Sequence, residues 1–262
     1  RRLSEVEAVL ITDIDDTLLG NDVAMERLLT YLREQRHRIG FGVASGRHVA
    51  MIEEVIESHD LGGLDVVVAS VGAEIYYGKE LEPDKGWASH LRNKWKPDRV
   101  RKALDGLEFL SVQEDEETQR EFKISYDLDV GTPSELALPQ IYDALGRSGV
   151  PHTVIFSHDV FVDVLPLRAS KGKAVRFLSN KWKIPLDRIV TAGDSGNDMD
   201  MLKGRTSGIA VGNHAAELDI LRKTGTGVYF AKAEYAAGII EGLQHYGLLS
   251  AEEGVSNLPA AE

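Results

Sequence analysis

Val9-Leu10-Ile11-Thr12-Asp13-Ile14-Asp15-Asp16-Thr17 joins an uninterrupted apolar run to a knot of acids. An apolar, β-branched run without alternation reads as a strand buried on both faces, the kind that parallel sheets use. Three carboxylates directly after it raise one another's proton affinity unless a cation is near. Such a strand needs helices over both faces, and the next residues supply them. Between Asp22 and Gln35, Val23, Leu28, Leu29, Tyr31 and Leu32 form an apolar stripe at helical spacing, with Arg and Glu opposite. Ile39 to Ala44 is a second apolar run, and Val49 to Glu57 reads as a helix with Met51, Ile52, Val55 and Ile56 inward. Asp65 to Ala69 is a third run. This alternation predicts an α/β fold built on a doubly wound parallel sheet.

After Gly78 the rhythm changes. A Trp-bearing helix is expected around Trp87 to Trp95, then an acidic loop from Glu114 to Glu117, which reads as a solvated segment. Two alternating strands, Glu121 to Leu128 and Thr153 to Val164, flank a helix from about Pro133 to Arg147, an α+β pattern with room for an antiparallel sheet. Strand and helix then alternate again: helix Lys171 to Lys181, strand Arg188 to Ala192, helix Asp198 to Lys203, strand Ser207 to Val211, helix Ala215 to Leu221, a short strand to Phe230 and helix Tyr235 to His245. The division expected is therefore a core at 1–79, an inserted α+β module at 80–165, the rest of the core at 166–249 and a frayed tail at 250–262.

Composition narrows the function. Of 262 residues, 43% are apolar and 27% charged, enough to bury a full core. The formal net charge is −12 and no run of five or six Lys and Arg occurs, which argues against a nucleic-acid partner. There are no cysteines, hence no disulfide, thiolate metal site or cysteine nucleophile. No stretch of 18 apolar residues exists, so no membrane span is expected, and the chain reads as cytoplasmic. The chain opens on Arg1 without an initiator Met, which reads as a processed, trimmed or excised piece.

Four segments fall where chemistry gathers in an open α/β sheet, at strand carboxyl ends and helix starts. The first is Asp13-x-Asp15, which alone reads equally as a solvated turn with a helix cap. The second is Gly193-Asp194-Ser195-Gly196-Asn197-Asp198, whose glycines permit a sharp turn and close approach to a ligand; by itself it also reads as a capped turn. In the third, Ser45-Gly46-Arg47 offers a hydroxyl and backbone N–H groups at a helix start, suited to an anion or to a plain N-cap. The fourth is Lys171, awkwardly placed for the helix dipole, which phosphate binding would explain, though a surface role is the alternative.

Together, in this order, these residues resemble the haloacid-dehalogenase-like phosphatases, with the inserted segment where that family carries its larger cap. Val71-Gly72-Ala73-Glu74-Ile75-Tyr76, Lys123-Ile124-Ser125-Tyr126, Val154-Ile155-Phe156-Ser157 and Val162-Asp163-Val164-Leu165-Pro166 are similar to segments of the sucrose-phosphate phosphatases. The likeness runs from about Glu7 to His245. It implies a Mg²⁺-dependent phosphatase acting on sucrose 6-phosphate, with Asp13 as nucleophile and Asp15 as proton donor and acceptor. It further implies Mg²⁺ held by Asp13, the Asp15 carbonyl and Asp194, with Asp198 holding metal-bound water or Lys171. Ser45, Gly46, Lys171 and Asn197 would grip the phosphate, and Glu74 and Lys123 the sugar hydroxyls. Thr and Asn are common in those phosphatases where this chain has Ser45 and Ser170, which loosens the tie to one sugar.

The expected partner is thus a sugar phosphate, possible companions including the glycosyltransferase domain of a sucrose-phosphate synthase. Two other readings are a phosphatase for another sugar phosphate, such as mannosylfructose phosphate, and a non-catalytic phosphatase-like binding module of a synthase. Trp87, Trp95 and Trp182 read as packing anchors rather than sugar platforms, and no role falls to the eight histidines.

Overall fold

The computed structural model describes residues 3–114, 119–225 and 227–250. The greater part of the acidic loop at Glu114 to Glu117 and almost all of the expected tail lie outside them. In chain order the elements are β1 (Ala8–Thr12), α1 (Asp22–Glu34), β2 (Ile39–Ala44), α2 (Val49–Ser58), β3 (Val66–Ala69), β4 (Glu74–Tyr77) and β5 (Glu82–Pro83). There follow α3 (Lys85–Arg92), α4 (Pro97–Leu104), β6 (Leu110–Val112), β7 (Ile124–Leu128), α5 (Ser134–Ser148), β8 (His152–Ser157) and β9 (Phe161–Pro166). The chain closes with α6 (Lys171–Trp182), β10 (Ile189–Gly193), α7 (Met199–Leu202), β11 (Ser207–Ala210), α8 (Ile220–Lys223), β12 (Tyr229–Phe230) and α9 (Tyr235–His245).

The large sheet has the order β12-β11-β10-β1-β2-β3-β4-β5, parallel from β12 to β3, with β4 and β5 antiparallel at the edge. Every residue of β1 is buried, as its unbroken apolar run requires. Val9 and Ile11 belong to the core shared with α6, while Leu10 belongs to the opposite core with Leu28 of α1 and Ile239 of α9. That alternation covers both faces of the sheet. The chain leaves β1 toward β2 on one side and returns as β10 on the other, so a crevice opens at the carboxyl ends of these strands.

The second sheet, β6-β7-β9-β8, is antiparallel. Ile124, Tyr126, Val162 and Val164 face Val100 and Leu104 of α4 and Ile141 and Leu145 of α5. This mixed architecture is a haloacid-dehalogenase-type α/β core with a separate sheet that fits a cap.

Several sequence expectations need correction. The strand read as Thr153 to Val164 is a hairpin: His158 and Asp159 both adopt positive φ, 53° and 56°, and Ser157 O accepts from Val160 N. Neither residue is the Gly that usually marks such a turn, so alternation runs through it unbroken. The Trp-bearing helix ends at Arg92, leaving Trp95 in the link to α4. β4, β5, β6 and α4 had no expected counterpart. Trp87 and Trp95 are buried, and their indole N–H groups donate to Gly72 O (3.1 Å) and Glu121 O (2.8 Å). Among the described residues, no helix is long and apolar enough to cross a membrane.

Candidate active site

The carboxyl end of β1 is held in place before any ligand is considered. Asp13 N donates to Ala192 O at 2.8 Å, continuing the β1–β10 ladder one residue past the strand. Leu18 N and Leu19 N both return to Ile14 O, so the acids sit on one tight turn with Asp16 at φ 53°. Thr17 Oγ1 donates to Asp194 Oδ1 at 3.0 Å and ties that turn to the loop after β10. In that loop, Asp194 N and Ser195 N donate to Asp198 Oδ2 at 3.0 and 3.1 Å. Gly193 is required there, because a Cβ would lie 2.4 Å from the Asp198 side chain.

Lys171 explains its own position. It is the first residue of α6, fully buried, and its Nζ donates to Asp13 Oδ1 at 2.7 Å and Asp198 Oδ1 at 2.6 Å. Burial works against its charge, but the two carboxylates outweigh it and hold the ammonium far above its usual range. The surface alternative for Lys171 is thereby removed. Ser170 caps the helix by accepting from Lys173 N at 3.0 Å. Gly72, at φ +90°, lets the turn before β4 press on the start of α6, where a Cβ would lie 2.2 Å from the Ser170 carbonyl carbon.

Asp13, Asp194 and Asp198 bring one carboxylate oxygen each within 4.8 Å of the others, and all three are buried. Burial, followed by repulsion from Asp198, pushes Asp13 well above the usual carboxylate range and Asp194 up to about 6, Lys171 only partly opposing. Three acids facing one ammonium lack positive charge. Hard carboxylate oxygens suit Mg²⁺, and the buried Ser195 Oγ and Asn197 Oδ1, without hydrogen-bond partners among the described residues, fit a site meant to hold further polar atoms. The donor set therefore fits the metal.

Asp15 stands outside this cluster. Its carboxylate is half-exposed and gripped by Arg47, Nε to Oδ2 at 2.9 Å and Nη2 to Oδ1 at 2.6 Å. Arg47 lay within a segment singled out in the sequence, yet nothing there indicated this pairing, which closes only in space. Ser45 is buried, and its Oγ accepts from Arg47 N at 3.1 Å, an N-cap-like bond that leaves the hydroxyl proton for another acceptor.

These residues form the floor of a cavity of about 290 Å³, with Asp13, Asp15, Gly46, Arg47 and Asn197 on the core side. The second sheet forms its roof with Gln113, Lys123, Ser157, His158, Phe161 and Asp163. Lys123 Nζ spans the two, 3.4 Å from Gly46 O and 3.3 Å from Asp163 Oδ1. Glu74 does not line the cavity; Ser70 Oγ donates to it at 3.2 Å and Arg120 Nε at 3.0 Å. The sequence reading named neither Asp163 nor Phe161 as a site residue and gave His158 no role. Their signal was the alternation of a strand face, which any solvated strand shares. A larger hollow of about 830 Å³ beside Asp65 and Trp182 holds none of these groups.

Comparison with known proteins agrees with this geometry. The family model described as sucrose-6F-phosphate phosphohydrolase matches residues 6–247. The chain is 30% identical to a mannosylfructose-phosphate phosphatase of Agrobacterium fabrum, covering 92% of this chain and 97% of that protein. It superposes on the sucrose-phosphatase of Synechocystis sp. PCC6803, solved with sucrose and phosphate, with a TM-score of 0.88 and 31% identity over 94% of this chain and 100% of that one. A haloacid dehalogenase-like hydrolase protein of Bacillus subtilis shares the fold at a TM-score of 0.66 and 18% identity, over 94% of each chain.

Proposed function

The chain belongs to the sucrose-6F-phosphate phosphohydrolase family and is a phosphoric monoester hydrolase, and from that premise we propose that it hydrolyses sucrose 6-phosphate to sucrose and phosphate. The observation that carries this reading is the meeting of Asp13 and Asp15 in one cavity with a buried ammonium beneath them and a polar sheet face above.

Asp13, desolvated and aimed by Lys171, attacks phosphorus as the bond to the sugar oxygen breaks, giving an aspartyl phosphate. Asp15, once released from the Arg47 pair and protonated, gives that proton to the departing alkoxide. It then takes one from the water that attacks phosphorus and frees Asp13. Lys171, Ser45, Asn197 and the Gly46 backbone hold the phosphoryl oxygens, Lys171 as a point charge. Asp13, the Asp15 carbonyl and Asp194, with Asp198 behind them, would hold Mg²⁺, which when bound would supply Lewis-acid neutralisation of the phosphoryl charge. The second sheet, lying over the cleft, keeps bulk water from the phosphoenzyme.

The test is phosphate release with Mg²⁺ from sucrose 6-phosphate, beside a panel of hexose and disaccharide phosphates, with Asp13→Asn as the blank. Preference for sucrose 6-phosphate with a silent blank supports the reading. The likeness to a mannosylfructose-phosphate phosphatase favours that ester as the second reading, and the panel separates the two. Release that Asp13→Asn does not abolish removes Asp13 as nucleophile. No Asp13-dependent release from any ester leaves a binding module beside a glycosyltransferase.

A further inference from the structure

Resting on the site assignment given above, we infer that Glu217 is a positioning residue for the phosphate end of the cleft. By gripping Gly196 N it fixes the loop that carries Asp194 and Asn197 and makes that loop the seat of the β8–β9 hairpin. Filling the site and seating the hairpin are thereby coupled.

The backbone of the loop after β10 is fixed partly from within. Asp194 N and Ser195 N donate to the Asp198 carboxylate, and Asp198 N returns to Ser195 O at 3.0 Å. The chain beyond β11 adds a clamp. Ala215 N donates to Asp194 O at 2.7 Å, and two residues on, the Glu217 carboxylate accepts from Gly196 N. The two bonds close on either side of Ser195, between Asp194 of the carboxylate cluster and Asn197. Their anchor is firm: Leu218, next to Glu217 on the 3-10 turn Ala216–Asp219, is fully buried with Leu202, Ala210 and Leu221. Without the carboxylate, Gly196 N loses its acceptor, and a half-buried amide left unpaired is costly enough to release the loop.

The second sheet meets the same glycine. A Cβ on Gly196 would lie 2.7 Å from Glu217 Oε1 and 2.8 Å from Phe156 O of β8, so strand and carboxylate converge on one point. The tip of the hairpin is felt there as well. Burial raises the proton affinity of Glu217 and the Gly196 N–H opposes this, while Asp159 adds to the rise and His158 works against it. One residue further along, Asn197 turns toward the turn after β2, its Nδ2 3.9 Å from the point where Gly46 would carry a Cβ. Gly196 is thus where the phosphate loop, the clamp from Glu217 and the hairpin touch. A ligand that orders the loop favours the seated hairpin, and by linkage the seated hairpin favours the ligand to the same extent.

The experiment follows amide hydrogen exchange at residues 154–161 with and without inorganic phosphate and Mg²⁺, and the dissociation constant of each ligand by calorimetry. Wild type, Glu217→Ala and Glu217→Gln are compared. In wild type the two ligands together are expected to slow exchange across the hairpin about tenfold more than in α5. Glu217→Ala is expected to bind both about tenfold more weakly and to lose the difference between hairpin and helix. Glu217→Gln, whose amide oxygen still accepts from Gly196 N, is expected to stay within about threefold of wild type. Unchanged affinities in Glu217→Ala overturn the proposal even if its melting temperature falls, because Glu217 is then a support of the fold alone. Hairpin protection that the ligands raise equally in wild type and Glu217→Ala overturns the coupling. If Glu217→Ala does not fold, wild type still decides, since ligands that protect the hairpin no better than α5 overturn the proposal. A Glu217→Gln that binds tenfold more weakly does the same. These readouts need no turnover, so a wild type that binds both ligands and cleaves no sugar phosphate fails the sugar-phosphate reading and leaves the role of Glu217 to its own result.

Discussion

Three buried carboxylates share one ammonium at the floor of the cleft, and that imbalance carries a pH signature. Asp194 is pushed up to about 6, so the metal-free folded chain keeps a proton that the unfolded chain loses near pH 4. Between about pH 4 and pH 6 the folded state binds more protons, and stability falls as pH rises. The penalty is complete above that window, on the order of 1–3 kcal/mol for a shift of about two units. Urea midpoints in EDTA from pH 4 to 7 are expected to show this decline, and Asp194→Asn to flatten it. Lys171 has the opposite standing. Lys171→Met leaves Asp13 and Asp198 buried without their partner, and a loss of about 3–5 kcal/mol is expected in the same urea titration.

Among the elements, α3 shows how the segment leading to the second sheet is anchored on the core. Its N-cap Asp84 accepts from Trp87 N at 2.9 Å, Tyr77 Oη at 2.6 Å and Lys181 Nζ at 2.6 Å, linking β4, α3 and α6 at one carboxylate. Burial opposes that charge, but these donors outweigh it and lower its pKa. Its contribution is therefore complete above about pH 4 and disappears as pH falls through the depressed folded value. Asp84→Ala is expected to cost about 1–2 kcal/mol at neutral pH, read from denaturant midpoints. The β8–β9 hairpin offers a second test. Gly196 N donates to the Glu217 carboxylate, and a Cβ at Gly196 would lie 2.8 Å from Phe156 O. Gly196→Ala is expected to lift the hairpin and lower kcat/KM for sugar phosphates, measured by steady-state phosphate release.

The core elements were legible because each announces itself locally: Val9 to Ile11 as a doubly buried strand, Lys171 to Lys181 as a helix, the acids at strand ends. Asp163 and Glu74 were not legible in the same way. Asp163 acquires meaning only when β7 and β9 pair with Ser125 opposite it, and Glu74 is diverted by Arg120, 46 residues away. Pairings of that span leave no local pattern, and the hairpin turn at His158-Asp159 lacks the residue that would have split the strand.

At the scale of the whole molecule, a metal held by Asp13, Asp194 and Asp198 would be coupled to the fold, because the carboxylates of β1 and the β10 loop converge only in the folded chain. A ligand bound by the folded state alone stabilises it, by about 2.7 kcal/mol at a hundredfold excess over Kd. Adding Mg²⁺ is thus expected to raise the thermal midpoint by roughly 5–10 °C at that excess, and Asp194→Asn to blunt the rise. The same geometry sets a schedule for synthesis. Val9 pairs with Ile189, and Asp13 reaches its ammonium 158 residues later in the chain. At roughly 5–20 residues per second, a ribosome holds β1 with a bare edge for about 10–35 s before β10 emerges. A nascent chain in that interval carries a strand open to wrong pairing and, at Asp13, a carboxylate with no partner, so chaperone demand concentrates there and phosphoryl chemistry begins only once the final strands have been made.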